Sequence, residues 1–403
     1  MTHRTQTDSI AVALFWRITG CCFAWSMVCL VAATSAVAGP DERDEAFRMH
    51  NRIAGVPPSD TVLTLMETDL VGGDPLAAAR RATNNPSFYT VTVKNFAAPW
   101  TNRDQTVFVP LNDYTTLVIG MVKDSVPFTE ILSADLLYMQ SGQGLPPPDN
   151  NSHYAALEQA MLQPSFDPQT QLVQTTQSAA YGLPVQATAG AMTTRAAAEA
   201  FFIAGTNRAM FRFTLMNHMC TDLEGVHDTT IVPDRIRQDV SRSPGGDSRV
   251  FMNGCIGCHA GMDPLAQAFA YYNYDDVLGR LLYSQGTVVS KYFNNNTTFE
   301  DGFITPDDSW DNYWRVGQNA ALGWDSSLPG SGAGAKSLGQ ELAASDAFAQ
   351  CQVTKVFRNV CLRDPVDAAD QSQITTMTTA FRAGNAYDLK EVFVSSAAYC
   401  RGN

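Results

Sequence analysis

Positive charge is scarce in this sequence. Its 403 residues include 27 Lys and Arg against 40 Asp and Glu, for a formal charge of −13. Counter-ion release from a nucleic acid or an anionic lipid surface needs clustered Lys and Arg, so the composition argues against both kinds of partner. Long apolar runs are missing as well. Beyond the N-terminus none reaches the ~18 residues of a membrane span, so no integral span is expected once a leader is removed. Histidine is rare, six in all. Neither a second C-x-x-C nor a closely spaced His pair accompanies the first, which argues against a four-ligand zinc site. No G-x-S-x-G elbow is present to seat a serine nucleophile. What remains is 45% hydrophobic and 17% charged, the balance of an ordered globular protein rather than a disordered or fibrous one. The length suggests about two domains.

The first 38 residues read as a signal peptide. Arg4 and Arg17 precede an uncharged stretch from Ile18 to Ala38, and Ala36-Val37-Ala38 supplies the small-x-small cleavage pattern before Gly39-Pro40. The mature chain is therefore expected in the bacterial periplasm or secreted. Two alternatives keep it tethered: an uncleaved N-terminal anchor helix, and lipid attachment at Cys21. Cys21, Cys22 and Cys29 leave with the leader, so Cys220, Cys255, Cys258, Cys351, Cys361 and Cys400 remain. In an oxidising compartment each of these wants a partner.

Along the mature chain, Pro- and Gly-rich breaks lie at Ser141 to Asn151, Val240 to Ser248 and Gly323 to Lys336, the last being the most flexible in composition. Helical patterns occupy Pro75 to Arg81, Asp113 to Lys123, Thr193 to Asn217, Ser337 to Val360, Asp370 to Arg382 and Tyr387 to Tyr399. Phe201, Phe202, Phe211 and Phe213 are expected in the core. Short strands are suggested only at Phe88 to Lys94 and Val107 to Leu111. The expected fold is mostly α, with an N-terminal helical domain over 39–190 of no assigned role and a second helical domain over 191–403.

One motif carries chemistry. Cys255-Ile256-Gly257-Cys258-His259 is a C-x-x-C-H box, the attachment signature of c-type haem. Two thiols three apart share a helical turn and reach two vinyl groups of one porphyrin, and the adjacent His259 offers an imidazole to the iron. At this composition such a box arises by chance about 0.003 times per chain of this length. Export agrees with the chemistry, because bacterial haem attachment takes place outside the cytoplasm. One box implies one covalent haem c per chain, with Cys255 and Cys258 binding the cofactor and His259 the metal. A thioredoxin-like dithiol would need a βαβ context, which the pattern lacks.

The segment Cys255 to Asp276, CIGCHAGMDPLAQAFAYYNYDD, resembles the C-x-x-C-H-x-x-M/I-D-P box of secreted planctomycete-type cytochrome-c-like proteins. In these the box is followed by Asp-Pro, an aromatic-rich helix and a Phe/Tyr-Asp ending, here Asp263-Pro264, Phe269 and Tyr274-Asp275. Asn207 to Leu223 is similar to the helix that precedes the family's box, and Phe348 to Tyr399 to its small C-terminal helical module, with Arg363-Asp364-Pro365 where the family has a Gly-Arg-Pro-like turn. The resemblance covers roughly 195–400 and departs at Leu265-Ala266, where the family usually has Gly. It implies an exported haem protein whose second domain is cytochrome-c-like, and it names no substrate.

The second axial ligand decides between carrier and catalyst. Met262 lies too close to His259 to reach the opposite face of the ring; Met216, His218, Met219, His227, Met252 and Met377 stay open. Cys220, Cys351, Cys361 and Cys400 allow two disulfides. If Cys351 and Cys361 share a helix they stand ~15 Å apart along it, beyond the ~7 Å that a disulfide tolerates. Each is therefore expected to pair with Cys220 or Cys400. Gly330 to Ser337 has only a faint phosphate-loop look, with Ala335 at a required Gly, and reads as a flexible linker.

Three functions are compatible with this sequence. The first is an exported monohaem cytochrome that passes single electrons to a redox partner with a basic docking patch. The second is a haem oxidoreductase, or a subunit of one, acting on peroxide or another substrate. The third is an interaction scaffold or sensor carrying a haem module.

Overall fold

A computed structural model describes residues 41–202, 206–293 and 297–402; the expected signal peptide, 1–38, lies outside them. The fold is mostly α, as the patterning predicts, with three small two-stranded antiparallel sheets among the described residues. Leu137–Gln140 pairs with Leu172–Thr175, Tyr272–Asp275 with Arg280–Tyr283, and Ser309–Asp311 with Ser331–Ala333. No helix among the described residues is long and apolar enough to cross a membrane.

Local chemistry explains where the helices begin. Asp74 accepts from the Ala77 amide at 2.9 Å, and Pro75 starts the Pro75–Thr83 helix. Asn112 caps Asp113–Asp124 through the Thr115 amide at 2.9 Å. Two expected helices are each split. The pattern over Thr193 to Asn217 becomes Arg195–Phe201 and Arg208–Met219, because Asn207 adopts a left-handed conformation (φ 57°). Its side-chain amide is held there by the Phe269 and Tyr272 carbonyls, both at 2.9 Å. Ser337 to Val360 becomes Gly334–Ala343 and Asp346–Cys361, because Ser345 turns extended and caps the second helix through the Phe348 amide at 3.1 Å.

The two strand expectations fail. Phe88–Val93 is a π-helical turn running into Lys94–Ala97. Its buried residues Phe88, Tyr89, Thr92 and Val93 lie on one helical face, a spacing the Thr/Val alternation obscures. Residues 107–111 form no ladder, and Pro110 has no amide to give one. Gly330 to Ser337 is not a linker but a strand, Ser331–Ala333, feeding the Gly334–Ala343 helix, with Ala335 fully buried.

Pro40 to Asn403 is one compact unit, and the segments on either side of residue 190 share its core. Phe393 of the last helix, Leu389–Tyr399, packs edge-on against Phe88 and Phe96, with centroids 5.2 and 5.4 Å away. Phe201, Phe202, Phe211 and Phe213 are all buried. Two disulfides tie the later helices. Cys220–Cys351 (Cα–Cα 5.3 Å) joins the end of Arg208–Met219 to Asp346–Cys361, and Cys361–Cys400 (5.5 Å) joins the ends of Asp346–Cys361 and Leu389–Tyr399. Cys351 and Cys361 thus pair elsewhere, as their separation along one helix requires.

Candidate cofactor site

The C-x-x-C-H box sits at the start of a helix. Cys255 closes a π-helical turn, Phe251–Cys255, and the α-helix Ile256–Ala266 follows directly. Residues three apart on such a turn are neighbours, so Cys255 and Cys258 share one side of it. Both thiols are free and half-buried, whereas the other four described cysteines are in disulfides. The Cys258 thiol donates to the Leu223 carbonyl at 3.5 Å. Burial pushes its pKa up, and the neighbouring Glu224 charge adds to the shift.

His259 is held from one side only. Its Nδ1 lies 3.1 Å from Oδ1 of Asp263, one helical turn further on, while Nε2 has no hydrogen-bond partner among the described residues. The next residue, Pro264, stands inside the helix and removes its bond to the Ala260 carbonyl. The α-helix ends two residues later and tightens into the 3-10 turn Gln267–Phe269.

Asp263 is buried completely and is the centre of a charged cluster. Arg208 reaches it through Nε at 2.7 Å and Nη2 at 3.0 Å, and grips Asp239 with a second pair of bonds at 2.7 and 2.9 Å. The Arg237 amide lies 3.4 Å from its Oδ2 and the Arg237 guanidinium 3.6 Å from Oδ1. Burial alone would raise the pKa of this carboxyl. The charges of Arg208 and Arg237, with His259, outweigh burial and hold it well below the usual carboxylate range. Arg237 is only 2% exposed. It donates to Thr206 Oγ1 at 2.6 Å and faces the Tyr292 ring at 5.0 Å, yet its Nε and Nη1 are buried with no hydrogen-bond partner.

Two glycines of the box helix let neighbours come close. A Cβ on Gly257 would stand 2.5 Å from His227 Nε2, and one on Gly261 would run into the Trp314 indole. The Asp228 amide also donates to the Gly257 carbonyl at 3.0 Å, so residues 226–228 are fastened along the first turn.

Of the open axial candidates, His227 is the one shown against the box itself. His218 is committed elsewhere, fully buried with Nε2 2.7 Å from the Tyr114 hydroxyl. Met377 accepts from Ser396 Oγ at 3.6 Å, Met219 is buried in the core, and Met252 is 55% exposed. Met262 is buried on the box helix itself.

Sequence reasoning found the box but not Arg208, Arg237 and Asp239 around Asp263. Arg208 lies in the stretch resembling the family's preceding helix, which was the only available signal; Arg237 and Asp239 carried none. Among the described residues no group of three or more His, Cys, Asp or Glu stands together as a metal site. Comparison with family models, with curated proteins and with solved structures found no match of any kind.

Proposed function

We propose that the chain is an exported monohaem c-type cytochrome that transfers single electrons. In this reading Cys255 and Cys258 hold the haem through thioethers and His259 binds its iron through Nε2. The observation that carries it is the donor set: two free thiols one turn apart in a chain whose other described cysteines are paired, followed by an imidazole with Nδ1 engaged and Nε2 open. The two unpartnered donors of buried Arg237 add a demand for an anion that a cofactor carboxylate would meet. The likeness to secreted planctomycete-type cytochrome-c-like proteins supports the same reading.

When bound, haem supplies a one-electron couple whose potential follows its axial ligands and their hydrogen bonds. The protein's part is to fix the ring of His259 through Asp263, to anchor both thioether positions on one rigid turn, and to keep that turn packed under residues 226–228. Its acidic surface, with a formal charge of −13, fits a redox partner carrying a basic patch.

Expression in a bacterial periplasm with haem-maturation machinery tests this. The expected product has a covalent haem that survives denaturation, is low-spin in both oxidation states, and is unchanged by carbon monoxide. A Cys255→Ser, Cys258→Ser variant should lose the covalent haem. A covalent haem that binds carbon monoxide would replace the carrier with the oxidoreductase reading, and a wild-type product without covalent haem would end both.

A further inference from the structure

Asp263 is the residue whose position the attachment chemistry leaves unexplained. A thioether pair and an axial imidazole do not require a buried carboxylate, still less one gripped by two arginines. Yet Asp263 has no exposed side-chain surface, receives Arg208 at 2.7 and 3.0 Å, and lies within 3.6 Å of the Arg237 guanidinium. Among the described residues its Oδ1 is also the only hydrogen-bond partner of the His259 ring, at 3.1 Å from Nδ1. The i, i+4 spacing places the two side chains on one helix face.

We infer that Asp263 is the positioning residue that sets the donor strength of His259, and through it the potential of the bound haem; this rests on the function proposed above. A carboxylate accepting from Nδ1–H draws the proton toward itself and makes the imidazole a stronger donor through Nε2. A stronger donor favours the oxidised iron and lowers the potential. Arg208 and Arg237 pull on the same carboxylate from the other side and limit how far this goes. Arg208 is in turn shared with Asp239 at 2.7 and 2.9 Å, so two carboxylates and two guanidiniums balance around the His259 contact. Asp239 carries the same charge as Asp263 but makes no bond to His259.

That difference supplies the test, made on the full-length matured protein by redox titration and by electron paramagnetic resonance of the ferric form. Asp263→Asn should raise the midpoint potential by more than Asp239→Asn does, and should shift the ferric g values while Asp239→Asn leaves them in place. If Asp263→Asn does not mature, Asp263→Glu keeps the charge and displaces the acceptor, and should also shift the g values. Equal potential shifts in the two Asn variants, or unchanged g values in the Asp263 variant that matures, would reduce Asp263 to a structural anion and overturn the inference. Wild-type protein without covalent haem would overturn it together with the function on which it rests; covalent haem with an indifferent Asp263 would overturn it alone.

Discussion

Gly257 shows how much of the site depends on a side chain that is not there. The two variable positions of a C-x-x-C-H box tolerate many residues as far as attachment is concerned, but here the second must leave space for His227, which stands 2.5 Å from where a Cβ would be. A valine at 257 has to push the ring and the 226–228 segment away, and the Asp228 amide bond to the Gly257 carbonyl with them. Overpacking of this kind costs about 1–3 kcal/mol. Gly257→Val is expected to lower the thermal midpoint and the yield of covalent haem, whereas Ile256→Val, which removes one buried methylene without entering that space, should retain haem at close to the wild-type level. Equal haem yields in the two variants would show that His227 is free to move. The box itself was legible because its residues are contiguous. Arg208, Arg237 and Asp239 were not, because the two arginines meet Asp263 in space from positions up to 55 residues away and Asp239 joins only through Arg208, and no spacing rule records that.

At the scale of the helix, Arg208–Met219 is held at its C-terminal end by its neighbours. Its last carbonyls are capped from the Asp346–Cys361 helix: Gln352 donates to the His218 carbonyl at 3.1 Å and Lys355 to that of Asn217 at 2.7 Å. His218, near its end, is enclosed by the rings of Tyr114, Trp100 and Phe348. Burial, with a smaller contribution from Lys355, holds its pKa well below the ordinary 6.5. The folded state therefore keeps this imidazole neutral while the unfolded chain takes up a proton below about pH 6.5. The stability it contributes is complete above that value and is lost as pH falls toward the depressed folded pKa, at up to about 1.4 kcal/mol per pH unit. Buried His50 shifts in the same direction, so the difference between proteins is the informative quantity. Urea midpoints at about pH 7.5 and about pH 5.5 should fall less in His218→Gln than in the wild type; parallel falls would mean that His218 is protonated without cost. Periodicity located this helix but not its start, because the sequence pattern runs unbroken through Asn207. Only the distant Phe269 and Tyr272 carbonyls make the left-handed turn there favourable.

For the molecule as a whole, helical patterning announced a mostly helical protein and cysteine spacing narrowed the disulfides, while the contacts that join the segments on either side of residue 190 into one core left no local signal. Arg52 of the Glu42–Ala54 helix donates to the Cys400 carbonyl at 2.6 Å, and Arg80 of Pro75–Thr83 grips Glu391 of Leu389–Tyr399 at 2.7 and 3.1 Å. Asp113, from the middle of the N-terminal half, accepts from the Ala196 amide at 3.0 Å and so anchors the start of Arg195–Phe201. Tyr114 beside it is the hydroxyl partner of His218. A fragment comprising 191–403 would lose all of these together with Phe88 and Phe96, the ring neighbours of Phe393. Each fully buried aromatic that becomes exposed costs ~1.5–3 kcal/mol, and a few such losses consume the ~5–15 kcal/mol that a typical domain has. The fragment is accordingly expected to bind a hydrophobic dye and to show no cooperative step in a urea titration followed by near-ultraviolet circular dichroism, even though it contains the entire haem box and both disulfides. A sharp, reversible transition in that fragment would mean that the half carrying the C-x-x-C-H box folds without the N-terminal helices, and that those helices are an addition to the site rather than part of what builds it.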